Sequence, residues 1–276
     1  MNDRVLYETH SHTELCKHAQ GSVKDYAMRA EERGFKGHTV TCHNPLPWGW
    51  SPQVRMFEEQ FQEYLDMIHE VREAFAGHLD ILTGMEFDYV PELEDYLLQQ
   101  VTWADFDYCL GSIHPQTDYY LEKYKVDDEV ENRRIYFDLI AKIAESDLFD
   151  CVSHPDLIKN FMPDVWDIDQ AMTDIIPMLD RVAATGCAME LNTSGIHKKI
   201  AEMNPGSEIL REMQNRDIPV VIGSDAHIPN RVGAQWEEAL DMLESVGYTE
   251  INYFIQRQRT AVAISDARNS LLTVHV

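Results

Sequence analysis

Short β-type runs alternate with longer helical patterns from one end of the chain to the other, and this rhythm limits the fold more than any other feature. The strand candidates are Val5–Thr9, His38–Cys42, Leu79–Met85, Phe106–Ile113, Phe149–Val152, Cys187–Leu191 and Ile218–Ile222. Ser22 is suited to cap a helix that stops at Arg33-Gly34. Ser51-Pro52 predicts the opening of a long helix closed by Gly77, its apolar face reading Val54, Phe57, Phe61, Leu65, Ile68, Val71 and Phe75. Further helices are predicted over Glu92–Trp103, Asp127–Glu145, Asp167–Thr185, Ser207–Asn215 and Gln235–Ser245, with a kink or break at Pro177. The tail from about Glu250 is unassigned beyond a terminal strand at Ile251–Ile255. Seven βα units without a long linker or composition shift imply one α/β domain over residues 1–276, built on a parallel sheet. A closed barrel is preferred to an open sheet, because candidate functional groups stand at the C-terminal ends of several strands. An open sheet for nucleotides usually carries a Gly-rich loop, and neither G-x-G-x-x-G nor G-x-x-x-x-G-K-[ST] occurs here.

The charge balance narrows the partners. Lys plus Arg number 23 against 48 Asp plus Glu, a formal net charge of −25. Nucleic acids and anionic membranes need a basic face, so neither is expected. A small anionic substrate must be drawn in by metal ions or a few clustered bases. The five cysteines form no Cys-x-x-Cys pair, and reduced thiols are expected. No signal-peptide pattern and no apolar run near ~20 residues is present. A cytoplasmic location is therefore expected.

At or just beyond the C-terminal end of every strand but the sixth stands an imidazole or a carboxylate. His10 and His12 follow the first strand, two apart and so on one face. His43 follows the second, Glu86 the third, His114 the fourth and His154 the fifth. Asp225 and His227 follow the seventh with the same i, i+2 spacing, and loop residue His18 makes nine. The sixth strand alone lacks one, ending Glu190-Leu191-Asn192. The other histidines (His38, His69, His78, His197, His275) lie off the strand ends, and His38 and His43 face opposite ways by parity. Nine ligands exceed what one zinc-like ion uses. They suit two or three divalent ions, with Glu86 as the natural bridge. Clustered divalent ions make a bound water into hydroxide at neutral pH and neutralise phosphoryl oxygens. No G-x-S-x-G elbow supports a serine nucleophile.

The spacing of these nine residues resembles the polymerase-and-histidinol-phosphatase (PHP) superfamily, and within it the monofunctional histidinol-phosphatases. The segments His43-Asn44-Pro45-Leu46-Pro47, Gly111-Ser112-Ile113-His114, His154-Pro155-Asp156-Leu157-Ile158-Lys159, Glu190-Leu191-Asn192-Thr193-Ser194-Gly195 and Gly223-Ser224-Asp225-Ala226-His227 support it, over roughly residues 4–265. The resemblance implies a distorted (β/α)7 barrel and a trinuclear site of zinc, iron or manganese. It would place His10, His12, Glu86 and Asp225 on one ion, His18, His43 and His227 on a second, and Glu86, His114 and His154 on a third. Asp225, Glu86 and His227 are the expected catalytic groups. The implied reaction is hydrolysis of L-histidinol phosphate to L-histidinol and phosphate, a step of histidine biosynthesis, by metal-bound hydroxide.

Two departures bear on the substrate. Where the family usually has Leu-Arg-Lys, this chain has Ile196-His197-Lys198, and Asn204 stands where a tyrosine is expected before proline. Substrate contacts are accordingly expected from His197, Lys198 and Arg231. A phosphatase for another small phosphomonoester and a non-catalytic PHP module are the alternatives. An amidohydrolase-type barrel would need a metal-bridging lysine, for which Lys159 lies far past its strand. Trp48 and Trp50 are expected either to cover the site or to pack a helix entry.

Overall fold

The computed structural model describes residues 4–272, which leaves His275 outside the described residues. Seven short strands run parallel and pair in sequence order. They are β1 (Tyr7–Glu8), β2 (Gly37–Val40), β3 (Asp80–Asp88), β4 (Tyr108–Ser112), β5 (Cys151–Val152), β6 (Ala188–Asn192) and β7 (Val220–Gly223). Past their C-terminal ends β1 and β7 meet: Ser11 bridges Ala226 in parallel, with His12 N–H donating to Ala226 O at 2.9 Å and Ala226 N–H to His10 O at 3.1 Å. That seam closes the sheet into a barrel at the end where the ligand candidates lie.

At the other end a hairpin fills the space. β8 (Glu250–Ile255) joins β7 through Val221–Asn252 and pairs antiparallel with β9 (Gln258–Ala263). Phe254 stacks on Tyr108 and joins Leu110, Cys151, Ala188 and Val221 in a separate buried apolar cluster. Tyr253 stacks on Tyr7 with ring centroids 4.3 Å apart. The barrel thus has seven parallel strands and a plugged floor, the distorted form the resemblance implies. The last described helix, α9 (Ile264–Ser270), returns to the start of the chain: Val5 N–H donates to Ser270 Oγ, and Ser270 Oγ–H to Gly34 O.

Helices wrap the outside and bury one stripe each against the sheet. α1 (Val23–Glu32) begins at Ser22 with a reciprocal capping box to Asp25 and stops at Gly34, which takes φ +83°. α2 spans Phe61–Ala74, α3 Glu94–Gln100, α4 Asp118–Lys123 and α5 Glu129–Glu145. α6 (Ile168–Thr185), α7 (Ser207–Gln214) and α8 (Trp236–Val246) complete the set among the described residues. None of them is long and apolar enough to cross a membrane. The outer core is apolar and contiguous, from Leu6 to Ala267.

Two expectations are corrected and one is extended. The helix predicted from Ser51-Pro52 begins only at Phe61, after an irregular stretch and a 3-10 turn at Glu58–Gln60. Arg55 is the reason: its buried guanidinium pairs with Asp88 and donates to Asn44 O, which holds this stretch as a loop over the barrel rim. Phe57 is consequently about half exposed rather than part of an apolar stripe. α6 runs unbroken through Pro177. In the tail, the strand expected at Ile251–Ile255 is present, as one arm of a hairpin followed by a helix.

Candidate metal centre

The inner face of the barrel changes character along each strand. Side chains two apart share a face, and the register aligns Glu86 with Leu110, and Leu110 with Cys151. Reading upward from the apolar floor, β3 presents Gly84, Glu86 and Asp88, β4 presents Leu110, Ser112 and then His114, and β6 presents Ala188, Glu190 and Asn192. The carboxylates and imidazoles therefore stack at the C-terminal rim. His154 breaks the parity, since Cys151 and Ser153 already face inward. Its left-handed backbone, φ +25°, turns the ring into the site, and Asp225 sits at φ +47°. Such positive-φ non-glycine residues cost about 1–3 kcal/mol each and cluster at functional sites.

Glu86 is wholly buried at the centre of the set. Its Oε1 lies 3.0 Å from His154 Nε2 and 3.6 Å from His114 Nε2. Its Oε2 lies 2.9 Å from His43 Nδ1, 3.6 Å from His10 Nε2 and 3.7 Å from His12 Nε2. Asp225 Oδ1 is 3.1 Å from His12 Nε2, 3.4 Å from His227 Nδ1 and 3.7 Å from His10 Nε2. His18 reaches the rim, its ring centroid 4.5 Å from that of His227 and 5.6 Å from that of His43. All nine expected ligands are thus brought together. Of the other described histidines, His38 is buried against Ser11 Oγ and Tyr26, His69 and His78 are on the surface, and His197 is exposed at the rim.

Outer partners hold the rings. His10 Nδ1 donates to Glu190 Oε1 at 2.6 Å, while Glu190 Oε2 accepts from Ser153 Oγ, the His154 N–H and Asn192 Nδ2. The strand that seemed to lack a ligand therefore supplies a buried orienting carboxylate. Only glycine at 223 permits this approach, because a Cβ there would stand 2.1 Å from Glu190 Oε1. Asp88 accepts from His114 Nδ1 at 2.7 Å, and His18 Nδ1 donates to Cys16 O at 2.7 Å. Glu8, also buried, accepts from the N–H groups of His10, Ser224 and Gly233 and from Trp236 Nε1, tying β1 to the loop that carries Asp225. Sequence reasoning missed Glu8, Asp88 and Glu190. Glu8 and Asp88 each lie two residues from a ligand, a faint signal, and Glu190 has none in the sequence. Such partners typically contribute 10–100-fold to metal affinity or activity. Glu190→Gln should accordingly lower bound metal or turnover by about 10–100-fold; unchanged values for both would show that His10 needs no anchor.

The electrostatics ready the carboxylates and four of the seven imidazoles for a metal ion. Burial would raise the Glu86 carboxyl, but the His114, His43 and His10 charges outweigh it and hold it well below the usual range. Asp225 is depressed in the same way, burial being opposed by His10 and His12. Burial is the main cause that takes His43 down to about 4 and His227 to about 2, and it lowers His18 and His154 as well. His12 is pushed up to about 9, because Asp225 and Glu86 overcome its burial. His10 and His114 are raised too, against their burial, by Glu190 and Glu86 beside the first and by Asp88 and Glu86 beside the second. These three rings must each give up a proton to bind a divalent ion, whereas the ionised carboxylates and the four lowered imidazoles already have the form it requires.

Three buried atoms test the fit of such ions. His227 Nε2 has no hydrogen-bond partner, and Glu86 Oε2 and His43 Nδ1, though 2.9 Å apart, make no aligned hydrogen bond; a buried polar group left unpaired costs about 1–3 kcal/mol when nothing compensates it. Three triads, His12/His43/His227, His10/His12/Glu86 and His43/Glu86/His114, each bring their ligand atoms within 4.8 Å of one another. Nitrogen and carboxylate donors in this arrangement suit zinc, iron or manganese. The residues fit.

Two cavities of about 430 Å³ open on the centre and share His18, His197, Lys198, Asp225 and His227. Arg231 lines the first. Lys198 Nζ lies 3.7 Å from Asp225 Oδ2, which also accepts from Ser194 Oγ at 2.9 Å. Trp48 and Trp50 line neither cavity: Trp50 packs toward Tyr119, and Trp48 is 75% exposed. Lys159 is buried and paired with Asp156 and Glu202, away from the nine ligands, so it does not bridge a metal.

A PHP domain model matches residues 8–194. The chain belongs to the PHP domain family. Within that family it is 35% identical to a "Probable histidinol-phosphatase" of Deinococcus radiodurans, over 90% of this chain and 96% of the relative. It is 26% identical to the histidinol-phosphatase of Bacillus subtilis, over 84% and 97%. Among solved structures it resembles the histidinol phosphate phosphatase of Lactococcus lactis complexed with zinc, L-histidinol and phosphate, with a TM-score of 0.78, 18% identity, and coverage of 92% and 98%. The class these relatives define is metal-dependent phosphomonoesterase, as the ligand pattern predicts.

Proposed function

We propose that this chain hydrolyses L-histidinol phosphate to L-histidinol and phosphate, as one PHP-type domain acting in the cytoplasm on two or three zinc, iron or manganese ions. The observation that carries the reading is the gathering of nine ligand-type side chains, with five imidazoles around Glu86, beside a cavity bearing Lys198 and Arg231. The names of the Deinococcus and Bacillus relatives support the substrate.

His10, His12, Glu86 and Asp225 would hold one ion, His18, His43 and His227 a second, and Glu86, His114 and His154 a third. Bound there, divalent ions would lower the pKa of water and neutralise the phosphoryl oxygens. The chain's own groups do the rest. Asp225, fixed by Ser194 and kept ionised, takes the proton of the attacking water. Glu190 and Asp88 hold the His10 and His114 rings in one orientation. Lys198 and Arg231 bind the phosphate from the cavity side. Arg231 presents a planar, always charged fork, so it takes the part of the arginine that the Ile196-His197-Lys198 segment lacks.

His197 is the weaker clamp. Burial and the Arg231 charge lower its pKa below the usual value, so its cationic form appears only as pH falls. Arg231→Ala should raise KM about 10-fold, about 1.4 kcal/mol, whereas His197→Ala should leave KM and its pH profile unchanged above neutrality. The reverse ranking would move the phosphate site to His197. The substrate itself is tested by a panel of small phosphomonoesters against enzyme loaded with zinc, manganese or iron. L-Histidinol phosphate should give the highest kcat/KM, and a different ester ranking first would overturn this reading.

A further inference from the structure

Beside His12 lie two thiols that hydrolysis does not use. Cys16 ends the 3-10 turn Glu14–Cys16, and Cys42 follows β2 directly before His43; neither has any solvent exposure. Their Sγ atoms and a ring nitrogen of His12 all lie within 4.8 Å of one another. His12 Nε2 is turned to Asp225 and His10, at 3.1 and 3.2 Å. Its Nδ1 is buried and has no hydrogen-bond partner, although histidines in such centres almost always donate their second nitrogen to an oxygen. Cys16 also belongs to a second ligand group with His18 and His227, which line the open cavity. A cation entering there would meet Cys16 first and the Cys42–His12 pair next.

We propose that Cys16, Cys42 and His12 form a separate, sulfur-containing site for a thiophilic d10 cation such as cadmium(II), zinc(II) or copper(I), adjoining the nitrogen-and-oxygen centre and sharing His12 with it. Thiolate donors select such ions over manganese and magnesium. Binding forms two metal–sulfur bonds and one metal–nitrogen bond; the two thiol protons and the His12 Nδ1 proton pass to solvent, which leaves His12 as a bridging imidazolate, and no electron is transferred. The site does not depend on which phosphate ester the enzyme hydrolyses.

Cadmium(II) titrated into the metal-loaded enzyme with a non-thiol reductant tests it, read by the ultraviolet cadmium–thiolate charge-transfer band, which nitrogen and oxygen ligands cannot produce. The band should saturate at one cadmium per chain and be kept by Cys187→Ala and Cys109→Ala. It should fall by half or more in Cys42→Ala and in Cys16→Ala, each with wild-type circular dichroism. Should one of these variants fail to fold, the other carries the same comparison. No band in the wild type, or more than half of it kept in the folded Cys42→Ala or Cys16→Ala protein, overturns the proposal.

Discussion

Glu86→Gln is expected to end phosphate release while the protein stays folded. One carboxylate lies within 2.9 to 3.7 Å of five imidazole nitrogens, each on a different ring. An amide keeps the shape but loses the charge and one acceptor oxygen. Removing an outer partner in such centres costs about 10–100-fold, so removing the group at the middle should cost more than about 100-fold. The apolar floor and outer core are untouched, so circular dichroism should match wild type. Metal content and turnover measured on one sample decide the matter. Full metal loading with more than a tenth of wild-type turnover would remove Glu86 from its central place.

The largest loss of stability is expected at Lys159. Its ammonium is fully buried, 2.8 Å from Asp156 Oδ2, 2.8 Å from Glu202 Oε1 and 3.0 Å from Met203 O. Lys159→Met would leave the Asp156 carboxylate buried without its counter-charge, with only the Asn204 amide and the Gly206 N–H donating to it. Breaking a buried pair from one side costs about 3–5 kcal/mol. Urea unfolding should register that loss, and Lys159→Met/Asp156→Asn should recover part of it. A change below about 1 kcal/mol would mean that the pair relaxes to water. The loop from Thr193 to Asn204 hangs on this anchor and carries Ser194 and Lys198, so KM should rise as well.

Strand order and the gathering of the nine side chains were legible because both rest on local patterns. A β-run is short and apolar, and a ligand at its C-terminal end is found by counting residues. The supports were not legible. Glu190 reads as an ordinary residue of an apolar strand, and only the barrel's closure carries it to His10. Asp88 draws Arg55 across the rim, and that long-range pair overrides the helix signal of Ser51-Pro52. Pro177 shows the opposite case, a strong local breaker held within a helix by packing. The second arm of the hairpin and α9 escaped notice because the register of β8 with β9 is written in contacts rather than in periodicity. The fold's chemistry is thus mostly local in sequence, and its rigidity mostly is not.

The locking of the first strand by the last helix sets an order of assembly. As the chain leaves the ribosome, ligands His10 and His12 emerge first and Asp225 and His227 some two hundred residues later. The Ser11–Ala226 seam cannot form before then, and Ser270, which holds Val5, comes later still. Contacts this distant in sequence make folding slow. A nascent chain therefore carries an open sheet whose ligands are dispersed, so the complete metal centre can assemble only after Asp225 and His227 have been made.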